Sequence, residues 1–370
     1  MLEEIVQPLT VWYHENKRTL PWREQKNPYY IWISEIMLQQ TRVEAVKPFF
    51  KRFIQALPTI PDLAKCPEDR MLKLWEGLGY YNRVRNIQKA AVVVKEKYGG
   101  QLPADYELLL KLPGIGEYTA GAIASIAYQI PVPAVDGNVL RVISRILESD
   151  EDIMKQSLRN KMRESLLEVM PQESPGDFNQ ALMELGATVC VPNGAPKCEL
   201  CPVMQLCAAK AHKRELELPV KSKAKARRIE EKTVLLIRDG ERVAIRKRPS
   251  KGLLAGLYEL PNYPGHLTEE EILEQMRQYG LVTLRIQPLP QSKHIFSHVE
   301  WRMKGYAIKV AALEKEQANK MLFVDIQYAE EKYPVPAAFQ AYASYMNMRL
   351  GQDKYIGGNY ETVDNRSTML

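Results

Sequence analysis

The sequence predicts a mainly α domain followed by a smaller α+β domain, and three observations carry that reading. Apolar residues recur at spacings of three and four in Ile31-Ile33-Ile36-Met37, Val84-Ile87-Ala90-Ala91-Val94 and Val139-Val142-Ile143-Ile146, the periodicity of helices. Prolines 48, 58, 61, 67, 103, 113, 131, 133 and 171 punctuate those runs. Beyond the basic, unpatterned stretch KSKAKARR (221–228) the period changes to that of strands. The expected limits are 1–212 for the helical domain, 213–231 for a basic interdomain linker, 232–350 for the α+β domain and 351–370 for a frayed polar tail.

Length and composition bound the function. A chain of 370 residues with 45% hydrophobic and 26% charged residues can fill two cores and reads as globular. It has no 18-residue apolar run, and its first residues, MLEEIVQPL, are unlike a signal peptide, so neither membrane nor export is expected. A net charge of +6 permits a polyanionic partner without requiring one. Four of the five cysteines fall between Cys190 and Cys207, which argues against a secreted disulfide framework and for a reducing cytoplasm.

Taken in chain order, the first chemistry-bearing element is the helix in YYIWISEIMLQQTRV, apolar on most sides, which carries Glu35. A carboxyl among Trp32, Ile36 and Leu38 is costly as an anion, and desolvation raises its pKa into the range of a general acid. The competing reading puts Glu35 on the one solvated stripe of that helix. Gln39, Gln40, Thr41 and Arg42 then form a polar cluster suited to base edges and phosphate. Gly77-Leu78-Gly79-Tyr80-Tyr81-Asn82-Arg83 is a turn into a helix whose Leu78 and tyrosines either wedge into a base stack or pack on the core.

The stretch from Leu112 to Asn138, LPGIGEYTAGAIASIAYQIPVPAVDGN, is the centre of the chain. Its Gly114 and Gly116 open a helix whose free N–H groups suit an anion. Thr119 stands where a dinucleotide fingerprint needs its third glycine, and a P-loop lysine is missing too. What remains is a helix-hairpin-helix turn gripping a DNA phosphate, or a helix connector with an ordinary capping glycine. Asp136 reads as the N-cap of the next helix and, stabilised there as the anion, also as a partner for an emerging cation. Glu35 protonated and Asp136 ionised would form the acid–anion pair of glycosidic bond cleavage. No lysine lies between Leu112 and Asp136, and Tyr118 offers a phenol where an amine nucleophile could stand, so water is the expected acceptor.

Cys190, Cys198, Cys201 and Cys207 are spaced C-x7-C-x2-C-x5-C. Four thiolates suit an iron–sulfur cluster or structural zinc, and one tight pair between two outliers favours a [4Fe–4S] cluster. Cys66 stands alone as a plain thiol. In the second domain TVLLIR (233–238) and RVAIR (242–246) form a hairpin across Asp239-Gly240, residues 269–278 a helix, 299–310 a strand and 337–350 a closing helix.

Together LPWR (20–23), SEIMLQQTRV (34–43), GLGYYNR (77–83), LPGIGEYTAGAI (112–123), VDGNV (135–139), FNQALMELGA (178–187) and the cysteine cluster resemble the helix-hairpin-helix superfamily of DNA glycosylases. Within it they resemble the MutY-type adenine glycosylases. The resemblance implies removal of adenine mispaired with 8-oxoguanine or guanine in double-stranded DNA, by a monomer working on the nucleoid. It implies that Glu35 protonates adenine N7 and that Asp136 stabilises the oxocarbenium ion, with Tyr118 and Asn138 assisting. Gln40, Leu78 and Tyr80 would probe the stack, Arg23 and Gln180 would approach the adenine pocket, and Gly114 and Gly116 would hold the backbone. One departure is the first cysteine interval, seven residues against the family's usual six.

KRPSKGLLAGLYELP (247–261) and HIFSHVEW (294–301) resemble the Nudix-type domain with which these proteins recognise 8-oxoguanine. LEQMRQYGL (273–281) lacks the R-E-x-x-E-E carboxylates of a Nudix hydrolase, so the domain is expected to read and not to hydrolyse, with Phe296, Ser297 and His298 near the damaged base. The alternatives are an endonuclease III-like pyrimidine glycosylase with lyase activity, a nucleotide pyrophosphohydrolase with a DNA-binding arm, and a non-catalytic damage sensor.

Overall fold

The computed structural model describes residues 2–222, 226–313, 317–318 and 321–351. Chain contacts divide it into two units: 1–65 with 85–224, and 66–84 with 225–370.

The first unit is helical: α1 Leu2–Asn16, α2 Pro28–Leu38, α3 Val43–Ala56 and α4 Ile60–Lys65, then, beyond α5 Glu68–Leu74, α6 Asn82–Lys97, α7 Tyr106–Leu110, α8 Glu117–Tyr128, α9 Gly137–Ile146, α10 Gln156–Glu168, α11 Pro175–Thr188 and α12 Ala208–Ala211. Asn27 caps α2 by accepting from the Tyr29 N–H, and Pro28 at the first helical position gives up no bond that a helix needs. Every residue of α2 from Ile31 to Met37 is buried, the mark of a helix inside a core and not on its surface. It packs on α8, while α11 packs on α1, α8 and α9. Gly186 makes the last contact possible, since a Cβ there would stand 2.7 Å from Asn138 Cβ. Among the described residues no helix is long and apolar enough to cross a membrane.

The second unit contains a mixed sheet in the order β5-β6-β1-β2-β8-β7, made of β1 Arg228–Asp239, β2 Arg242–Lys247, β3 Tyr258–Glu259, β4 Asn262–Pro264, β5 Thr283–Ile295, β6 Val299–Val310, β7 Gln317–Ala318 and β8 Met321–Asp325. β1 and β2 pair antiparallel, with Asp239 opposite Arg242 and Gly240 at φ +60° in the turn, as the Asp-Gly signal predicts. β1 and β6 run parallel. Apolar cores cover both faces; α13 Glu269–Gln278 closes one with Ile272 and Met276. Phe339, Tyr342 and Met346 cover the other from a chain of short turns over Ala337–Met346, where one helix was expected.

Three boundaries differ from the sequence expectation. Residues 66–84, placed by sequence in a continuous helical domain, share their contacts with the sheet unit. The expected linker 213–231 is largely structured. Arg214 is bonded to Glu148, Asp150 and Glu217, Leu218 is buried, and β1 starts at Arg228 because its backbone pairs with β6. β5 escaped the sequence reading because Pro288 and Pro290 interrupt its pattern. It is tolerated as an edge strand with a register shift between Leu289 and Ser292. Of the expected tail, all but Gly351 lies outside the described residues, as do residues 223–225 of the basic run.

Candidate active site

Glu35, Tyr118, Asp136 and Asn138 line one cleft of the helical unit, of about 1710 Å³, together with Arg23, Gln40, Thr41 and Gln180. Helix packing gathers them. α2 carries Glu35 inward, the first turn of α8 carries Tyr118, and the N-terminus of α9 carries Asp136 and Asn138. The loop leading to Asp136 is pinned by buried Asn179 of α11. Its Nδ2 donates to Ser125 Oγ (2.8 Å) and Val132 O (2.9 Å), and its Oδ1 accepts the Ala134 N–H (3.0 Å).

Glu35 is 6% exposed, so the solvated-stripe reading is excluded. Burial pushes its carboxyl up to about 7. The hydrogen bond donated by Tyr118 opposes this, the nearby charge of Asp136 adds to it, and Arg23 opposes it. Tyr118, half-buried at the cleft, is pushed well above its usual range by desolvation and then by the charges of Glu35 and Asp136, so it stays a neutral phenol, and its hydroxyl also reaches Met183 Sδ at 3.9 Å.

Asp136 caps α9. Its Oδ1 accepts the Val139 N–H (2.7 Å) and its Oδ2 accepts Asn138 Nδ2 (2.7 Å). Burial nevertheless raises its pKa against these donors and against Arg141, so the helix terminus does not by itself hold it as a freer acid than usual. The pair still divides unequally. Asp136 draws on N–H donors that favour its anion, whereas Glu35 lies among apolar side chains and faces the charge of Asp136. One proton between them rests on Glu35.

Several supporting residues carry no sequence signal of their own. Glu184, 1% exposed, receives Arg18 Nη2 (3.1 Å) and Arg23 Nη2 (2.8 Å), and these bonds outweigh burial and keep it ionised. It fixes the guanidinium that faces Glu35. Arg141, buried, donates to Asn138 Oδ1 (2.9 Å), Gly186 O (2.7 Å) and Cys190 O (2.9 Å). One turn on, Arg145 donates to Cys190 Sγ (3.2 Å) and Val191 O (3.1 Å). α9 therefore holds the acid at one end and the cysteine loop along its side. These are buried charges whose partners lie far away in sequence, and a buried arginine in an amphipathic helix looks like any surface arginine until its partners are known.

Cys190, Cys198, Cys201 and Cys207 line one apolar cavity with Val142, Ile146 and Arg145. Burial pushes the Cys201 thiol up to about 12 and raises Cys198 and Cys207 as well. Among the described residues no group of three metal-binding side chains closes on a single ion. Four soft sulfur donors round an apolar space, with an arginine at one sulfur, suit an iron–sulfur cluster. The longer first interval is taken up by the loop through Gly194 at φ +76°, from which the Lys197 N–H returns to Val189 O (3.0 Å).

Gly114 and Gly116 face a neighbouring groove of about 330 Å³, lined also by Arg159 and Arg163. Gly114 needs to be glycine twice over, since φ is +75° and a Cβ would meet Asn86 Cβ at 2.6 Å. Gly116 caps α8 with extended backbone.

The remaining predicted residues belong to the sheet unit. Leu78 is 5% exposed, as the core-packing reading of this turn has it; Tyr80, at φ +49°, is 48% exposed and is the side chain the turn presents. Phe296, Ser297 and His298 form the turn between β5 and β6. Phe296 packs edge-on against Trp301 (4.9 Å), Ser297 and His298 are exposed, and Tyr80 Oη lies 2.7 Å from Ser297 Oγ.

Residues 33–168 match the HhH-GPD superfamily of base excision DNA repair proteins, and residues 233–345 match the NUDIX domain. The adenine DNA glycosylase of Rattus norvegicus is 33% identical over 360 residues, covering 81% of this chain and 69% of its own. That of Buchnera aphidicola subsp. Schizaphis graminum is 35% identical over 311 residues, covering 84% and 88%. A solved thermostable thymine-DNA glycosylase shares 30% identity with a TM-score of 0.51, over 57% of this chain and 97% of its own.

Proposed function

This chain belongs to the adenine DNA glycosylases, and from that membership we propose that it hydrolyses the bond between adenine and deoxyribose where adenine is paired with 8-oxoguanine or guanine, leaving the strand uncut. It is a DNA N-glycosylase of base excision repair. The observation that carries the proposed mechanism is a buried Glu35, its pKa about 7, in the cleft that Asp136 also lines.

Adenine turned out of the duplex enters that cleft beside Arg23 and Gln180. Glu35 delivers its proton to N7, so that the base departs as a neutral leaving group. Asp136, oriented by Asn138 and the Val139 N–H, faces the positive charge that develops on the sugar. Tyr118 holds Glu35 in place and, as a phenol, forms no Schiff base, which leaves water to complete the reaction. The hairpin glycines, Gln40 and Thr41 hold backbone and bases around the extruded nucleotide.

Cys190, Cys198, Cys201 and Cys207 would hold a [4Fe–4S] cluster. When bound, it supplies four iron–thiolate anchors that fix the loop on which Arg141 and Arg145 also close.

The sheet unit acts as the reader of the base opposite adenine, through Phe296, Ser297, His298 and Tyr80. Its acids serve structure. Buried Glu259 is taken by Arg246 (2.8 Å), Arg248 and Asn262 (2.7 Å), and Glu271 and Glu274 of α13 are spent on a capping box and on Arg277.

The test is base release from duplexes carrying adenine opposite 8-oxoguanine, opposite guanine and opposite thymine, with alkali withheld and then applied. Abasic sites cut only by alkali, formed fastest opposite 8-oxoguanine, support the reading. Strand scission without alkali, or equal rates on all three duplexes, overturns it.

A further inference from the structure

Residues 66–84 stand in sequence between two stretches of the helical unit yet share their contacts with the sheet unit. The turn within them is held from inside. Gly77, Gly79 and Tyr80 have φ of +98°, +70° and +49°, Trp75 Nε1 donates to Gly79 O (3.1 Å), and Arg83 Nη2 donates to Leu78 O (3.0 Å) and Gly79 O (3.2 Å). Below the turn lies Glu76, with no exposed surface. Its carboxylate is paired with Lys73 (2.7 Å) and accepts the Val335 N–H (3.0 Å), while Lys73 Nζ also donates to Tyr333 O (2.7 Å).

A buried ion pair is a poor way to gain stability, because desolvation consumes most of the attraction and apolar side chains of similar size often serve as well. Its best-attested use is to fix register. Here the register is unambiguous: Pro334 and Pro336 have no N–H, so Val335 offers the single backbone donor of 334–336, and Glu76 is bonded to it. At the other end of the same turn Tyr80 Oη meets Ser297 Oγ.

We propose that Glu76, with Lys73, is a positioning residue that sets the Gly77–Tyr80 turn in register with the 296–298 turn, so that discrimination of the base opposite adenine depends on this pair. The inference rests on the reader role proposed above. The exposed pair Lys247–Asp69 (2.8 Å) joins residues 66–84 to β2 but, in water, contributes little.

The experiment compares single-turnover rates of adenine release opposite 8-oxoguanine and opposite guanine for the full chain, for Glu76→Ala, for Glu76→Gln and for a Phe296→Ala/Ser297→Ala double variant, with thermal unfolding midpoints alongside. Glu76→Ala should lower the ratio of the two rates by about ten-fold or more while the rate opposite guanine stays within about two-fold, the scale expected when a contacting group is displaced by about an ångström. Glu76→Gln keeps an acceptor for the Val335 amide but removes the counter-charge of Lys73, and should fall between; it carries the test if the alanine variant does not fold. A ratio unchanged in the Glu76 variants, or an equal loss on both duplexes, overturns the proposal. If the double variant lowers the ratio and the Glu76 variants do not, the reader role stands and the role of Glu76 falls. If the double variant leaves the ratio unchanged, the reader role itself falls, and the register argument with it.

Discussion

The cleft of the helical unit and the 296–298 turn of the sheet unit solve opposite problems. In the cleft the proton donor is buried: Glu35 is 6% exposed, and its pKa follows from that. At the turn Ser297, His298 and the nearby Tyr80 are exposed. Proton transfer to a poor leaving group needs a carboxyl that water cannot ionise, whereas recognition of a base edge needs donors and acceptors that the base can reach. Both regions are nevertheless supported by buried charges, Glu184 and Arg141 beneath the cleft and Glu76 beneath the turn. What differs is whether water reaches the group that works.

The sharpest way to break this contrast is at Glu35. Glu35→Gln keeps shape and burial but has no proton to give, and base release should fall by about 10²- to 10⁴-fold in single-turnover assays while duplex binding is retained. Near-normal turnover would remove Glu35 from the mechanism. In the unchanged protein the protonated form is the active one, so the rate should hold below pH 7 and fall above it, approaching about ten-fold per unit. A rate that rises with pH through 7 would assign Glu35 the role of base.

Arg141 tests whether cleft and cysteine loop are one construction. Arg141→Met leaves the carbonyls of Gly186 and Cys190 and the Asn138 amide oxygen without their donor, at about 1–3 kcal/mol for each buried acceptor. We expect a lower unfolding midpoint, less retained iron per chain and slower base release together. Loss of activity with full iron content and an unchanged midpoint would separate the two regions. At the turn, Ser297→Ala should cost less, about three- to ten-fold in the preference for 8-oxoguanine and little opposite guanine, as one exposed hydroxyl contact.

How much was legible follows the same division. Glu35, Tyr118, Asp136 and the four cysteines stand in stretches whose residue types already imply chemistry, and one cleft or cavity gathers each set. Helices from periodic runs, the Asp-Gly hairpin and α13 were legible because each is decided by neighbours in sequence. Glu76, Arg141, Asn179 and Glu184 were not, because a buried polar residue is defined by partners 45 to 259 positions away. β5 was hidden by prolines that only an edge strand tolerates, and the choice between wedge and core for Leu78 by a turn that exposes the tyrosine two residues on and not the leucine.

The smallest predicted effect is the most discriminating, because it concerns position on the pH axis and not rate. Tyr118 donates to the Glu35 carboxylate, and a donor to the charged form lowers a carboxyl pKa. Burial and the charge of Asp136, which raise it, remain when the phenol is removed. Tyr118→Phe should therefore move the alkaline limb of the pH–rate profile upward, by about half a unit to one unit, whatever it does to the plateau. The shift has the opposite sign to that expected if the substitution merely admitted water, since hydration would favour the anion and bring the limb down. A limb that moves down, or stays, would show that Tyr118 does not set the acidity of Glu35, and the contrast between a buried proton donor and an exposed reading turn would lose its physical cause.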